Sequence, residues 1–256
     1  MRRLQASFIH CLVAPLLLAT AGLSRADHFV IGVEDVDYAP IMSTADKGEF
    51  RGYVRELLDL FARRHGHRFD YLPLPTKRLT AEHVAGRLDA VFPDSETWEA
   101  DTKRGRTLVY SEPAVPFQDV VMVPLAKRDQ PVRSLGIVRG YTPKRFLPLI
   151  EAGSLTVTEA GDPSRLMRMA LADRVDGVQL ALPVALYQLE QLGRPDALVP
   201  STALRPMPYA YHYRLSSVRH DGLIAQFNRF LRDEQAAIAA LQRRYGLDAK
   251  VTPAPR

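Results

Sequence analysis

Acidic and aromatic side chains follow one of the predicted buried strands, at positions where they could contact a polar solute. Asp94, Trp98 and Glu99 come after the apolar run at residues 89–92. In α/β proteins, ligands bind beyond the carboxyl ends of parallel strands. Trp98 could therefore form one wall of a cleft, or it could pack in the core as an ordinary apolar side chain.

Patterns for catalysis and metal binding are lacking in the sequence. It has no Ser-His-Asp arrangement, no glycine-rich phosphate loop and no His-x-x-x-His pair. The histidines beyond position 27 are scattered: His28, His65, His67, His83, His212 and His220. His65 and His67 are two residues apart on a predicted turn, which favours solvent exposure over a metal site. We therefore predict no enzymatic activity, no metal and no cofactor.

The first 26 residues have the pattern of a secretory signal peptide. Two arginines precede the apolar residues 8–23, and small residues at positions 24 and 26 precede a cleavage point before Asp27. A membrane anchor is the alternative, but the apolar stretch is short for one. Cleavage removes Cys11, the only cysteine. We expect a periplasmic mature chain without thiols or disulfides.

The charge balance excludes a nucleic-acid partner. The full chain has 34 basic and 29 acidic residues, a formal net charge of +5. Removing the predicted signal peptide takes away three arginines and no acid, leaving 31 basic against 29 acidic residues. The two signs are interspersed, without the basic stripe that binds nucleic acid.

Alternating strands and helices predict an α/β fold. In the first half, strands are predicted at residues 29–33, 68–72 and 89–92, with helices at residues 52–65 and 80–85. This order indicates a parallel sheet.

The second half of the sequence has the same alternation of predicted strands and helices. Strands are predicted at residues 135–138, 155–158 and 175–180, and helices begin after Thr142-Pro143, after Asp162-Pro163 and at residue 182. A Thr or Asp followed by Pro is typical of a helix N-cap and first turn.

Two extended apolar segments could connect the halves. Residues 119–125 and 208–215 are each long enough to cross between lobes, and the helical tail at residues 223–245 has only the first lobe to join. Two crossings form two hinges, and a cleft between them can open and close. The predicted organisation is a signal peptide at 1–26, lobe I at 27–120 and 208–256, and lobe II at 121–207.

Several short segments lie in an order found in one known family. They are Tyr38-Ala39-Pro40, residues 48–58, Gly86-Arg87-Leu88-Asp89, Tyr110-Ser111-Glu112-Pro113, Gly140-Tyr141-Thr142, Arg174-Val175-Asp176-Gly177-Val178, Phe227-Asn228 and Arg244-Tyr245-Gly246. In this order the chain resembles the family 3 extracellular solute-binding proteins, the periplasmic receptors of polar amino acid ABC transporters. The resemblance implies a type II two-lobed fold with two hinge strands, a monomer, and a permease or other inner-membrane receptor as partner.

The resemblance also implies binding residues. Arg104, seven residues before Ser111, matches the arginine that clamps a ligand carboxylate through two parallel hydrogen bonds. Tyr38 would stack on the ligand, and Tyr141 and Thr142 would hold an anion at a helix start. Each prediction has a structural alternative. Arg104 could be a solvated cation, Tyr38 an ordinary half-buried residue of a turn, and Tyr141 and Thr142 part of a helix cap.

One position departs from the family pattern. Ala181 stands where the family has the aspartate that receives the ligand ammonium. An unpaired ammonium in a closed cleft is costly, so Glu99 or Asp94 would have to replace that aspartate, or the ligand is not an α-amino acid. Arg78 could add positive charge at similar depth or remain solvated.

The function implied is capture of a small polar solute, an amino acid or a related carboxylate, for an ABC transporter. A periplasmic sensor subunit that signals to a membrane receptor is the first alternative. The second is an enzyme resembling cyclohexadienyl dehydratase. It is disfavoured because the catalytic carboxylate of those enzymes lies near the position of Ala181.

Overall fold

The computed structural model describes residues 27–46, 48–204 and 211–248. The predicted signal peptide lies outside the described residues, as do residues 208–210 of the second predicted crossing. Within the described segments, no helix combines the length and the apolar character that a membrane span requires.

The secondary structure alternates between strands and helices, as predicted. The strands are β1 (His28–Glu34), β2 (Asp37–Tyr38), β3 (Met42–Ser43), β4 (Arg68–Leu74), β5 (Ala90–Asp94), β6 (Val109–Tyr110), β7 (Val115–Phe117), β8 (Asp119–Pro124), β9 (Ser134–Val138), β10 (Thr156–Ala160), β11 (Gly177–Ala181), β12 (Leu198–Pro200) and β13 (Tyr211–Ser217). The helices are α1 (Tyr53–His65), α2 (Thr76–Val84), α3 (Ala100–Lys103), α4 (Leu147–Glu151), α5 (Pro163–Leu171), α6 (Leu182–Gln191), α7 (Asp221–Asp233) and α8 (Gln235–Arg244).

The first sheet has the strand order β4-β1-β5-β13-β6, and β7 pairs with β13. Strand β1 pairs in parallel with β4 along its whole length and also with β5. Ile31 and Val33 of β1 are fully buried, and every residue of β5 is buried. Such continuous apolar runs suit the centre of a sheet that is covered on both faces. The acidic residues that end these strands, Glu34 and Asp94, therefore come to the carboxyl edge of the sheet.

The second sheet has the order β10-β9-β11-β8-β12. Strands β9, β10 and β11 are parallel, whereas β8 is antiparallel to both β11 and β12. We call the first sheet with its helices the first lobe, and the second sheet with its helices the second lobe.

The first passage between the sheets differs from the prediction. Residues 119–125 were expected to cross, but β8 lies entirely in the second sheet, and the chain passes over at Gln118, between β7 and β8. The physical reason is burial. Residues 120–123 are all buried, and a strand buried on both faces is most stable with a hydrogen-bonded neighbour on each side.

The predicted cap at Asp162 is confirmed, and the one at Thr142 is wrong. The Asp162 side chain accepts a hydrogen bond of 2.7 Å from the Arg165 N–H at the start of α5. After Thr142 the chain forms only a three-residue 3₁₀ turn, Lys144–Phe146, followed by the five residues of α4. No side-chain cap bond is made there.

The C-terminal tail forms two helices that pack on the first lobe. The rings of Phe227 and Phe230 in α7 lie 5.0 and 5.3 Å from the Phe61 ring in α1. Tyr245, just after α8, makes an edge contact with Tyr53 of α1. Aromatic packing of this kind holds the tail against helix α1 of the first lobe.

Candidate functional site

A cavity of about 120 Å³ lies between the two lobes. Both lobes contribute to its wall. The residues that line it are Glu34, Tyr38, Thr76, Trp98, Glu99, Asp119, Ile137, Val138, Gly140, Tyr141, Thr142, Pro143, Lys144, Gln179 and Tyr213. The space is enough for a small organic molecule, since a single water needs only about 10–15 Å³ of such volume.

The position of the cavity follows from the topology. Glu34 is the last residue of β1, and the segment from Gly140 to Lys144 follows the end of β9. Trp98 and Glu99 follow β5. The carboxyl ends of the parallel strands in both sheets thus meet at one crevice, which is where open α/β sheets bind ligands.

Glu34 is a buried acid to which no described residue supplies a cationic partner. Its side chain accepts hydrogen bonds of 3.2 Å from the Thr76 hydroxyl and 3.2 Å from the Tyr141 hydroxyl. The residue is 4% exposed. Burial raises the pKa of Glu34 to about 7, because the charged form loses its hydration, while the two hydroxyl donors act in the opposite direction.

Asp119 supplies a second carboxylate from the start of β8. The Gln179 side chain donates to Asp119 Oδ2 at 3.1 Å. Burial raises the pKa of Asp119 to about 6. Gln179 Oε1 is buried and has no hydrogen-bond partner among the described residues. Because the amide nitrogen must face the carboxylate, the other end of this side chain is a bare acceptor in the cavity wall.

Aromatic rings form much of the remaining wall. The Tyr38 and Tyr141 rings meet edge to face at 5.6 Å, and so do the Trp98 and Tyr213 rings at 5.6 Å. Burial raises the pKa of Tyr38, of Tyr141 and of Tyr213, so all three phenols are neutral. Neutral tyrosine and tryptophan rings present electron-rich faces.

Among the described residues, three hydrogen bonds join the lobes around this cavity, in addition to the Tyr38–Tyr141 ring contact. Tyr141 of the second lobe donates to Glu34 of the first, and the Ala181 N–H of the second lobe donates to the Tyr38 hydroxyl at 2.9 Å. The Lys144 ammonium donates to the Thr97 carbonyl. The lobes are therefore closed on one another, and four of the six residues that make these bonds also line the cavity: Glu34, Tyr38, Tyr141 and Lys144.

Five of the eight binding residues predicted from the sequence line the cavity: Tyr38, Trp98, Glu99, Tyr141 and Thr142. Asp94 lies beside it, in the wall of a smaller adjoining space of about 20 Å³. The structure does not bring Arg78 or Arg104 to either space. The Arg78 side chain is 69% exposed and lies 4.0 Å from Glu82.

Arg104 faces solvent, contrary to the expected clamp. Its side chain is 80% exposed and pairs with Asp101, three residues earlier. Helix α3 ends at Lys103, and its geometry turns Lys103 inward and Arg104 outward. The inward ammonium of Lys103 is already occupied, because it lies 2.5 Å from Asp94 Oδ1 and 2.8 Å from the Ser95 carbonyl.

The expected anion site at a helix start does not form either. The turn after Thr142 is too short to present a row of free N–H groups or a helix dipole. Tyr141 and Thr142 reach the cavity as side chains instead.

Sequence reasoning missed Glu34, Asp119, Gln179 and Tyr213. The one signal for Glu34 was an acid that ends a continuous apolar strand, since glutamate is rarely buried without a purpose. Asp119 was treated only as the start of a crossing. In the described part of the chain, no group of three or more His, Cys, Asp or Glu side chains is arranged to hold a metal ion.

No family model matches the sequence, and no curated protein matches it significantly. Solved structures do match. An ancestral arginine-binding protein bound to arginine is 15% identical with a TM-score of 0.67, covering 85% of this chain and 97% of that one. A histidine kinase sensor domain with similarity to periplasmic binding proteins is 20% identical with a TM-score of 0.67, covering 87% and 97%.

A third match is a periplasmic His/Glu/Gln/Arg/opine family-binding protein from Silicibacter pomeroyi in complex with lysine. It is 16% identical with a TM-score of 0.66, covering 88% of this chain and 100% of that one. At these identities the likeness is one of fold. The chain has the two-lobed α/β fold of periplasmic binding proteins, as the order of its sequence segments predicted.

Proposed function

We propose that this protein is a periplasmic solute-binding protein that captures a small polar solute in the cavity between its lobes. The observation that carries the proposal is the shared wall of that cavity. Glu34 and Tyr38 of the first lobe contact Tyr141 and Ala181 of the second at the edge of the same space. A solute that contacts residues of both lobes stabilises the closed arrangement over an open one, which is a population shift.

The closed form is the state that a membrane partner would recognise. We propose an ABC transporter permease as that partner, in line with the similarity to an arginine-binding protein. A sensor subunit is the second candidate, and it is favoured by the equally high structural similarity to a histidine kinase sensor domain. Deleting the gene separates the two, because loss of solute uptake indicates transport, whereas loss of a solute-dependent transcriptional response with normal uptake indicates sensing.

Thermal unfolding of the mature chain against a panel of amino acids, amines, carboxylates and small peptides tests the capture itself. A solute that binds the folded state stabilises it by about 2.7 kcal/mol at one hundred times its dissociation constant. The melting temperature therefore rises. Native mass spectrometry of protein purified without refolding gives a second readout, a retained small molecule. If no member of any of these classes shifts the melting temperature and no molecule is retained, solute capture is wrong.

We infer that the protein binds its solute without turning it over. Ala181 leaves no acid at the position of the dehydratase carboxylate, and the Tyr38 hydroxyl lies against its backbone instead. Incubation with prephenate and arogenate should give no product above the uncatalysed rate. Turnover of either compound that disappears in Glu34→Gln would contradict this and would make Glu34 the acid.

A further inference from the structure

We propose, building on solute capture as the function, that the cleft selects a small organic cation that carries no carboxylate. Glu34 and Asp119, two of the three carboxylates that line the cavity with Glu99, face a space walled by neutral aromatic rings, and no described arginine lines it to clamp the carboxylate of an amino acid.

Of the three described cations in or near the cavity, two are paired with carboxylates and the third bonds a backbone carbonyl. Of the described residues that line it, Lys144 alone is cationic, and its ammonium donates to the Thr97 carbonyl across the lobes. Lys103 is buried against Asp94, and Arg104 is in solvent against Asp101. A ligand carboxylate would therefore enter a space that holds three acids, and none of the described residues that line it offers a guanidinium, which costs free energy.

The acids, by contrast, lack the partner that a ligand cation would supply. Glu34 receives only two neutral hydroxyl donors, and Asp119 receives only the Gln179 amide among the described contacts. A buried carboxylate is stable when it is paired with a cation and hydrogen bonded. An ammonium or guanidinium group in the cavity completes both sites.

The bare acceptor at Gln179 Oε1 is an independent observation that leads to the same ligand chemistry. It is buried in the wall, next to Asp119, without a donor. Buried acceptors are normally paired, so a donor is expected from the bound molecule. Ammonium and guanidinium groups are donors only, whereas a carboxylate is an acceptor only and would leave Gln179 Oε1 unpaired.

The aromatic rings of the cavity wall also favour a cationic ligand. They belong to Tyr38, Tyr141, Trp98 and Tyr213. A cation within about 6 Å of such a ring is attracted by its quadrupole, and desolvation strengthens this attraction. Two edge-to-face pairs on a cavity of about 120 Å³ leave any small guest in contact with several rings.

Three matched pairs of compounds test the inference on the mature chain by isothermal titration calorimetry at about pH 8, where both acids are ionised. The pairs are agmatine and arginine, cadaverine and lysine, and choline and glycine betaine, and in each pair the second compound carries the added carboxylate. We expect at least one of the three cations to bind at least about tenfold more tightly than its carboxylated counterpart.

Variants then assign the binding to the two acids. Glu34→Gln and Asp119→Asn should each weaken binding of that cation by about tenfold or more, because each removes a buried charge partner. Glu56→Gln is the matched control, since Glu56 pairs with Arg244 on the outside of the first lobe. The affinity of this variant for the cation should stay within about twofold of the wild type.

Tighter binding of the carboxylated member of every pair, or unchanged cation affinity in both variants, would overturn the inference. So would failure of all three cations to bind. If an anionic or zwitterionic solute binds instead, solute capture stands and only the cation is wrong. If no solute of any class binds, the proposed function itself is lost.

Discussion

Two buried carboxylates of the first lobe, Asp94 and Glu34, end neighbouring strands and have opposite surroundings. Asp94 has an ammonium at 2.5 Å from Lys103 and a hydroxyl at 2.6 Å from Ser216. Glu34 has two hydroxyl donors at 3.2 Å and no cation from the part of the chain that the structure describes. The charge of Asp94 is compensated within the fold, so this acid is structural. The charge of Glu34, which borders the cavity, is not compensated by any cation among the described residues.

The largest expected effect is a loss of stability when the ion pair between Lys103 and Asp94 is broken. Lys103→Met should lower the free energy of unfolding by about 3–5 kcal/mol, because Asp94 then remains as an unpaired buried charge. Urea denaturation measures the change. Arg104→Met, the neighbouring exposed position, is the control and should stay within about 0.5 kcal/mol of the wild type. A loss below about 1 kcal/mol in Lys103→Met would mean that Asp94 does not need its cation.

Glu34→Gln should raise the free energy of unfolding of the ligand-free protein, whereas Lys103→Met lowers it. The folded-state pKa of about 7 exceeds the usual 4.5, so the folded state binds more protons than the unfolded one between these values. Stability is therefore lost as the pH rises through this window, and the neutral amide should recover about 1–3 kcal/mol at pH 8 and almost nothing at pH 5.

Unfolding curves of the wild type and Glu34→Gln at both pH values measure this difference. Glu112→Gln, at an exposed carboxylate that pairs with Arg232, controls for the loss of one charge. A Glu34→Gln protein that is less stable than the wild type at pH 8 would show that the hydroxyl donors already compensate the Glu34 charge.

Cation affinity should follow the ionisation of the same acid. Protons compete with the ligand below a pKa of about 7, so affinity should fall by about tenfold from pH 8 to pH 6. The described groups that face Glu34 are Thr76, Tyr141, Asp94, Tyr38 and Tyr213. Protonation of Asp119, elsewhere in the cavity wall, adds a further decline below about pH 6. Calorimetric titration at intervals of half a pH unit measures the profile. A flat profile would exclude both acids from the site.

A smaller effect is expected at the contact between the lobes. Tyr38→Phe removes the acceptor of the Ala181 N–H and should weaken ligand binding by about three- to tenfold, the worth of one hydrogen bond. Tyr71→Phe is the matched control, because its hydroxyl donates to Asp59 within the first lobe. Equal affinity loss in both variants would indicate a general effect on the first lobe rather than on closure.

The smallest effect is expected for Arg104→Ala. Its guanidinium is exposed and paired with Asp101, so ligand affinity should change by less than about twofold. A loss of tenfold or more would restore the carboxylate clamp that the sequence suggested, and it would require α3 to turn when ligand binds.

The sequence by itself determined the alternation of strands and helices, the parallel pairing of the three strands predicted in each half, and the two-lobed fold. Apolar runs such as residues 29–33 and the Asp162 cap act locally, within one strand or one turn, so their outcome can be read from a few neighbouring residues. Trp98 was also placed at the crevice, because the carboxyl ends of strands are identifiable from strand order, and Tyr38 was placed there by the family resemblance.

Only the tertiary structure decided which charges are free. Whether Lys103 or Arg104 turns inward depends on the four-residue helix α3, and whether Asp94 or Glu34 receives the inward cation depends on where α3 lies in the fold, packed on α2. Burial and pairing are properties of side chains that are far apart in the chain. The same residue types, in the same order, can therefore form an anion clamp in one fold context and a site with uncompensated acids in another.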